Sequence, residues 1–241
     1  MNRVTRMELL LAALLIAFGI AGGGYFIGQT LYNAKVAINV TTVKGLAERR
    51  VEADRARWKI GYLVVGGDKA EIPSLYDKSE ADQAQIMALL LENGFEEKDI
   101  SPGIIDYGQR EYRSKNQELV EVKYSLTGSI EVATDKVELV SKVRSKVNEL
   151  IAHGLNIKNN APAYYFTRLN EIKPAMLREA TKNARIAANE FAENAGVKVG
   201  SIRDAHQGGF SIRDVGESHG DTAKIEKDVR VVTTITFYLT K

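Results

Sequence analysis

Hydrophobic and polar residues follow three different patterns along this 241-residue chain. Leu9 to Gly28 is a stretch without a charge. At a rise of about 1.5 Å per residue it covers the roughly 30 Å hydrocarbon core of a bilayer. Beyond it, segments that alternate apolar and polar residues predict strands, and apolar residues three or four positions apart predict helices. The pattern therefore predicts a single N-terminal transmembrane helix followed by an α+β domain of antiparallel sheets packed with helices.

The predicted strands are rich in β-branched residues or alternate between apolar and polar ones. They are Val36–Lys44, Ala56–Val64, Ile104–Tyr112, Val120–Val132, 163–169, Val199–Ile202 and Val229–Leu239. The third and fourth form a hairpin with one buried face, and Gly128 at an inward position indicates a bulge or a bend. Residues 207–228, polar and glycine-rich, are predicted to be a mobile loop.

Three helices are predicted in the domain. One covers Ile72–Leu91, a second is capped by Thr134 and closed by Gly154, and a third has Pro174 in its first turn. The alanine-rich stripe of the third helix, which also includes Phe191, would allow close approach to a sheet or to another helix. The sequences around Gly94 and Gly196 are similar, which indicates either two related halves or a common type of helix end.

The apolar segment divides the chain into four regions. Residues 1–8 are a short N-terminal segment, 9–28 the membrane anchor, 29–35 a linker and 36–241 the α+β domain. Arg3 and Arg6 place the N-terminus in the cytoplasm, so in a bacterium the domain would be periplasmic and the anchor would lie in the inner membrane. The alternative is an exported protein whose signal is cleaved after the glycines of the segment.

The charge balance excludes one class of partner. Residues 36–241 carry 30 basic and 30 acidic side chains, so the domain lacks the basic surface that nucleic-acid binding requires. The chain has no cysteine, so its domain must be stabilised by its core without disulfides.

The anchor contains two glycine pairs at a spacing of four residues. Gly19 with Gly23, and Gly24 with Gly28, have the spacing that lets two membrane helices approach closely. Glycine is also common in membrane helices for other reasons. The pairs therefore predict either self-association within the bilayer or an ordinary tether.

Two groups of residues in the domain are candidate binding surfaces. The adjacent aromatic residues Tyr164, Tyr165 and Phe166 could stack on a ligand, or could belong to a sheet buried on both faces. A basic row, Arg55/Arg57/Lys59, could bind an anion, but such a row is more typical of a solvated sheet face or a contact between subunits.

The search for catalytic chemistry finds no motif. Cysteine nucleophiles are excluded, and His153 beside Gly154 is best explained as a helix C-terminus. His206 and His219 could ligate a metal with nearby carboxylates, but their spacing matches no known metal motif. The candidate carboxylates are Asp204, Asp214, Glu217 and Asp221. No phosphate-binding loop is present. We therefore expect no enzyme activity, no cofactor and no metal.

Several motifs, taken together in their order along the chain, resemble those of the SIMPL domain family, whose bacterial members include outer-membrane and periplasmic immunogenic proteins. They are Ile38 and Val40 before Lys44-Gly45, Ala53-Asp54-Arg55-Ala56, Asn93-Gly94-Phe95 before Asp99-Ile100, Ala195-Gly196-Val197-Lys198-Val199-Gly200 and Val232-Thr233-Thr234-Ile235-Thr236-Phe237.

The resemblance implies an α+β envelope protein that assembles into ring-like or cage-like homo-oligomers, with no established catalytic residues and a loose link to envelope and oxidative stress. We therefore expect a membrane-anchored, non-enzymatic periplasmic scaffold whose partners are further copies of itself and the lipid bilayer. The alternative is a periplasmic ligand-binding or chaperone-like module that uses Tyr164–Phe166 or the loop 207–228.

Overall fold

The computed structural model describes residues 6–35 and 39–240. Its helices are α1 (Arg6–Lys35), α2 (Ile72–Glu92), α3 (Val137–Ala152) and α4 (Leu169–Asn194). Its strands are β1 (Val40–Glu52), β2 (Arg55–Gly66), β3 (Ile100–Pro102), β4 (Asp106–Arg113), β5 (Leu119–Thr134), β6 (Ile157–Asn159), β7 (Ala163–Tyr165), β8 (Lys198–Gln207), β9 (Ser211–Asp214) and β10 (Glu226–Thr240). Every strand pairing for which the register is resolved is antiparallel. The predicted α+β class is confirmed.

The chain forms two compact units that do not follow consecutive halves of the sequence. One unit, called here the terminal unit, contains residues 1–47, 177–209 and 231–241. The other, called here the central unit, contains 48–176 and 210–230. Strands β1 and β10 and helix α4 contribute residues to both.

The central unit is built on a six-stranded sheet with β2 in the middle. Strand β5 pairs with one edge of β2, and β6 and β7 pair with the other. Alternate residues of β2 from Ala56 to Val64 are buried, as the sequence predicts. Helices α2 and α3 contribute Ile86, Leu90 and Val140 to the same core, which places both helices against this face of the sheet.

Of the bulge or bend predicted at Gly128, the bulge is not present. The register between β2 and β5 continues without a shift from Ala56 to Gly66, and Gly128 lies directly opposite Tyr62. A Cβ atom at Gly128 would overlap the Cζ and hydroxyl of Tyr62, whose side chain is buried. The glycine is needed because a large aromatic ring crosses over it, and only the pairing of two distant strands brings that ring there.

Glycines end three helices in the same way. Gly94, Gly154 and Gly196 all have positive φ and follow α2, α3 and α4. After α2 the N–H of Phe95 donates to the carbonyl of Leu90, and the N–H of Gly94 donates to the carbonyl of Leu91. The other two helix ends repeat this pattern. This is the Schellman motif. Its presence at Gly154 as well shows that the feature shared by Gly94 and Gly196 is a common type of helix end.

The terminal unit contains a sheet in the order β1-β10-β8. A Cβ atom at Gly45 on β1 would lie 2.5 Å from the backbone nitrogen of Ala184 on α4. Ala184 and Ala188 are fully buried there, so the predicted close approach of the alanine stripe is confirmed. Phe191 is 65% exposed and does not belong to that buried stripe.

Several predicted element ends differ from the structure. Helix α1 continues to Lys35, through residues 29–35 that the sequence analysis assigns to a linker. Of the first predicted strand, residues 36–38 lie outside the described residues, and β1 continues to Glu52. The 163–169 strand is wrong beyond Tyr165, because Leu169 already begins α4. Pro174 therefore lies inside α4 and not in its first turn.

Thr134 is not the cap of α3. The helix begins at Val137 after Lys136, and no side chain caps it. The Thr134 hydroxyl instead donates to the buried carboxylate of Asp99 over 3.0 Å and accepts the Lys136 N–H over 3.1 Å. Thr134 has the right chemistry for a cap, but its hydroxyl binds a carboxylate 35 positions away in the sequence.

Candidate functional site

The apolar helix α1 presents its side chains to its surroundings. The membrane-span candidate covers Glu8–Asn33, and none of it is buried against the rest of the chain. Its 30 residues would span about 45 Å, longer than the hydrocarbon core of a bilayer. A helix of this kind is compatible with a signal anchor or a single-pass membrane protein. The Arg3 of the positive-inside prediction lies outside the described residues.

The two glycine pairs of α1 do not share one face. At about 100° per residue, Gly19 and Gly23 are about 40° apart around the helix, and so are Gly24 and Gly28. The centres of the two pairs are then about 140° apart. No heavy atom of another element lies within 4 Å of a Cβ built on any of the four. The helix thus offers two separate open surfaces of small residues.

The three candidate aromatic residues are not brought together on one face. Tyr164 is buried in the core of the central unit, and burial raises the pKa of its hydroxyl. Tyr165, the next residue of β7, is 38% exposed because successive residues of a strand point to opposite faces. Phe166 lies beyond the strand and lines an open cleft with Arg50, Arg168 and several carboxylates. A common stacking surface made of all three is therefore not present.

The basic row lies on the exposed face of the central sheet. Arg55, Arg57 and Lys59 alternate with the buried residues of β2. Lys59 lies opposite Glu131 on β5, and Arg55 lies opposite Tyr165 on β7. The row therefore lies on a solvent-facing strand surface, a position that fits a solvated sheet face and also leaves the row accessible to an anion or to another subunit.

The candidate metal ligands do not form a cluster. His206 lies on β8 opposite Thr234, and the ring of His219 lies 3.0 Å from the hydroxyl of its neighbour Ser218. In residues 6–35 and 39–240 no group of three or more histidine, aspartate or glutamate side chains is placed to hold a metal ion. His153 follows α3 as its C-cap residue, where the sequence analysis places it.

The predicted loop 207–228 contains a strand and a buried ion pair. Strand β9 pairs with β10 so that Asp214 lies opposite Lys227. The two side chains are 2% and 0% exposed, and the Lys227 ammonium also donates to the Asp221 carbonyl over 2.7 Å. Burial alone raises the pKa of the Asp214 carboxyl, but hydrogen bonds from Lys227 and from the Ala223 backbone outweigh burial and hold that pKa below its usual value.

This ion pair was missed, although the sequence contains a signal for it. Lys227 is two residues before Val229, so it falls on the inward positions of the strand that includes Val231. A lysine at an inward position needs a buried acceptor, because an unpaired charge in a core is costly. The pattern therefore predicts a partner carboxylate, but only the pairing of β9 with β10 identifies Asp214.

Asp54 is a second polar residue with a structural role. Its carboxylate accepts hydrogen bonds from the Thr167 N–H over 2.7 Å and from the Arg168 guanidinium over 3.0 Å. Its own N–H donates to the Tyr165 carbonyl. Asp54 thereby attaches the turn before β2 to the connection between β7 and α4, within the central unit.

Comparison with known proteins identifies the family of the chain but no activity. A model of the SIMPL family, described as a protein of unknown function (DUF541), matches residues 41–237. A search of curated proteins finds no match. The matched residues include both the Gly45 contact with α4 and the ion pair of Asp214 with Lys227. The chain therefore belongs to the SIMPL family, and its domain is a periplasmic or extracellular module of unknown function.

Proposed function

We propose that this protein is a membrane-anchored, non-enzymatic scaffold of the cell envelope that works as a homo-oligomer. The observation that carries the proposal is the pair of open glycine surfaces on α1, about 140° apart around the helix. A membrane helix with two such surfaces can contact two neighbours at once, and small residues allow the close approach that stabilises contacts in lipid. Such a helix can therefore form an assembly larger than a dimer.

The charge of the domain supports self-association. Residues 36–241 carry equal numbers of acidic and basic side chains, so copies held side by side in one membrane do not repel each other through a net charge. Confinement by the anchor also raises the effective concentration of one domain near the next. Association then requires less contact energy than it would between free domains.

The non-enzymatic part of the proposal is supported by how the buried polar residues are used. Asp214 is paired with Lys227, and Asp99 accepts the Thr134 hydroxyl. Both carboxylates lie within the central unit, where both oxygens of Asp214 and one oxygen of Asp99 accept hydrogen bonds from neighbouring groups of the chain. The link to envelope or oxidative stress that the family resemblance implies stays a prediction.

The proposed location is the inner membrane, with the N-terminus in the cytoplasm and the domain in the periplasm. The chain has no cysteine, so a single Lys158→Cys variant provides one exposed thiol in the domain. In intact cells we expect a thiol reagent that crosses only the outer membrane to label this variant. Labelling only after the inner membrane is broken would contradict the orientation.

The oligomer is tested by measuring particle mass in mild detergent at micromolar protein. We expect a mass several times that of the 26.6 kDa chain after the detergent contribution is subtracted. A strictly monomeric particle, in detergent and in native membrane extracts alike, would overturn the proposal.

A further inference from the structure

The hairpin of β4 and β5, with the residues that lead into it, carries the most exposed large hydrophobic side chains of the central sheet. Its outer part, residues 104–124, is called here the β4–β5 arm. Ile104 is 81% exposed, Val120 69%, Leu119 54% and Tyr107 52%. Apart from α1, Ile104 and Val120 are the two most exposed large hydrophobic residues among those described. Exposed apolar side chains concentrated on one projection are typical of an interaction surface.

Each strand of the arm also has an edge without a strand partner among the described residues. Strand β2 pairs with β5 only as far as Tyr124, so residues Leu119–Lys123 have β4 as their one strand neighbour in the described chain. Strand β4 pairs with β5, and its second edge has no strand partner among residues 6–35 and 39–240. An edge of this kind presents a row of backbone N–H and C=O groups that can pair with another strand.

We propose that the free edge of β4 pairs antiparallel with β4 of a second copy, around a two-fold axis at Gln109. This inference rests on the proposed homo-oligomer and names one of its contacts. Charge complementarity between two β4 strands favours a second copy as the occupant, because an antiparallel pairing about Gln109 places Asp106 of each copy diagonal to Arg110 of the other. From Asp106 to Lys123 the arm carries four acidic and four basic side chains, so two arms can meet without net repulsion.

The charges on β4 select the register. A two-fold axis perpendicular to the sheet places residues of the same face opposite each other. With the axis at Gln109, Tyr107 lies opposite Glu111 of the second copy, and Gly108 lies opposite its Arg110. Asp106 is then diagonal to that arginine, which is an attractive arrangement.

Neighbouring registers are less favourable. An axis at Arg110 would place two arginines directly opposite each other, and an axis at Glu111 would do the same with two glutamates. Like charges directly opposite destabilise a strand pair. An axis at Gly108 pairs only residues 106–110 of β4, because the strand begins at Asp106. The Gln109 register pairs 106–112 and has no like charges directly opposite.

Cysteine cross-linking of the full-length chain in its membrane tests the contact. Directly opposed residues bring their Cβ atoms to about 4.5–5.5 Å, close to the separation in a disulfide. Under mild oxidation we expect Gln109→Cys to give a covalent dimer at least about tenfold more efficiently than Lys158→Cys, an exposed site on the far side of the sheet from β4.

The register is tested with two further variants. Tyr107→Cys alone should not cross-link, because residue 107 of one chain and residue 107 of the other lie about 13 Å apart along the strands. Co-expressed with Glu111→Cys, it should give the mixed dimer. The β4 pairing would be wrong if Gln109→Cys cross-linked no more efficiently than Lys158→Cys while the particles kept an oligomeric mass. That result would leave the proposed function standing. A strictly monomeric native chain would instead overturn the proposed function, and the pairing with it.

A charge pair at the axis gives an independent readout. Gln109→Lys and Gln109→Glu should each weaken dimerisation by about fivefold, because each places two like charges opposite each other. Co-expression of the two variants should restore dimers that contain one of each. Gln109 is exposed, so neither change disturbs the core. If both variants dimerise like the native chain, the two-fold at Gln109 is wrong.

Discussion

At the scale of single residues, Lys227 and Asp214 form a buried ion pair in which each charge needs the other as its partner. Both side chains are almost completely inaccessible to solvent. Removing both charges from such a site can be neutral, but removing one leaves the other buried without a partner. The pair is therefore sensitive to single substitutions and to pH.

We expect Asp214→Asn to lower the free energy of unfolding by about 3 kcal/mol at pH 7. The folded carboxyl has a lowered pKa, so its stabilising contribution is present above the unfolded pKa of about 3.9 and is lost as pH falls through the folded value. The difference between the variant and the native chain should therefore shrink below about pH 4. Urea unfolding followed by fluorescence of the single tryptophan, buried Trp58, measures it.

Asp228→Asn is the matched control. Asp228 pairs with Arg50 over 3.2 Å, but the two side chains are 40% and 61% exposed. Exposed pairs contribute little, so we expect a loss below about 1 kcal/mol with weak pH dependence. Equal losses for the two variants would show that burial of the Asp214 pair is not what makes it important.

At the scale of elements, close approach between backbones decides the packing of the terminal unit. Gly45 on β1 lies against the buried alanine face of α4, where a Cβ would be 2.5 Å from Ala184 N and 2.8 Å from Ala184 Cβ. The same Cβ would also overlap the backbone oxygen of Ala180, and neither this oxygen nor Ala184 N can rotate away. Close packing against α4 thus explains why the Lys44-Gly45 motif has a glycine at its second position.

Gly45→Ala should therefore separate β1 from α4 and lower the free energy of unfolding by about 2 kcal/mol or more. Gly67→Ala is the control, because a Cβ at Gly67 meets no heavy atom within 4 Å. Thermal unfolding followed by circular dichroism of the full chain in mild detergent compares the two. If Gly45→Ala melts at the same temperature as Gly67→Ala, the close contact is not important for stability.

At the scale of the whole molecule, the proposed assembly makes a prediction about α1, whose glycine surfaces would set the number of neighbours. The two glycine pairs face directions about 140° apart, so each can be removed independently. We expect Gly19→Leu with Gly23→Leu, and separately Gly24→Leu with Gly28→Leu, to reduce the particle mass in mild detergent, because leucine keeps the helices apart.

Gly22→Leu is the control for this experiment. Gly22 lies about 80° or more from the centre of either pair, and a Cβ there also meets no heavy atom within 4 Å. It adds a leucine to the same helix without filling either glycine surface. Unchanged mass in both double variants would show that α1 acts only as a tether.

The local pattern of the sequence was enough to predict elements whose own residues carry their determinants. The apolar α1, the alternation of β2 and the glycines that end α2, α3 and α4 are examples. Each depends on residues within a few positions of one another: charge-free length, a period of two, or a position that requires positive φ. The family resemblance also came from such local motifs, and the match over 41–237 confirms it.

Only the tertiary structure decided which distant residues meet. Thr134 has the chemistry of a helix cap but bonds Asp99, Gly128 accommodates the ring of Tyr62, and Lys227 finds Asp214 inside a segment predicted to be a loop. These outcomes depend on strand register and on which strands are neighbours, and a local period carries no information about either. The sequence by itself therefore determined the elements and the family, and the fold determined the contacts that stabilise them.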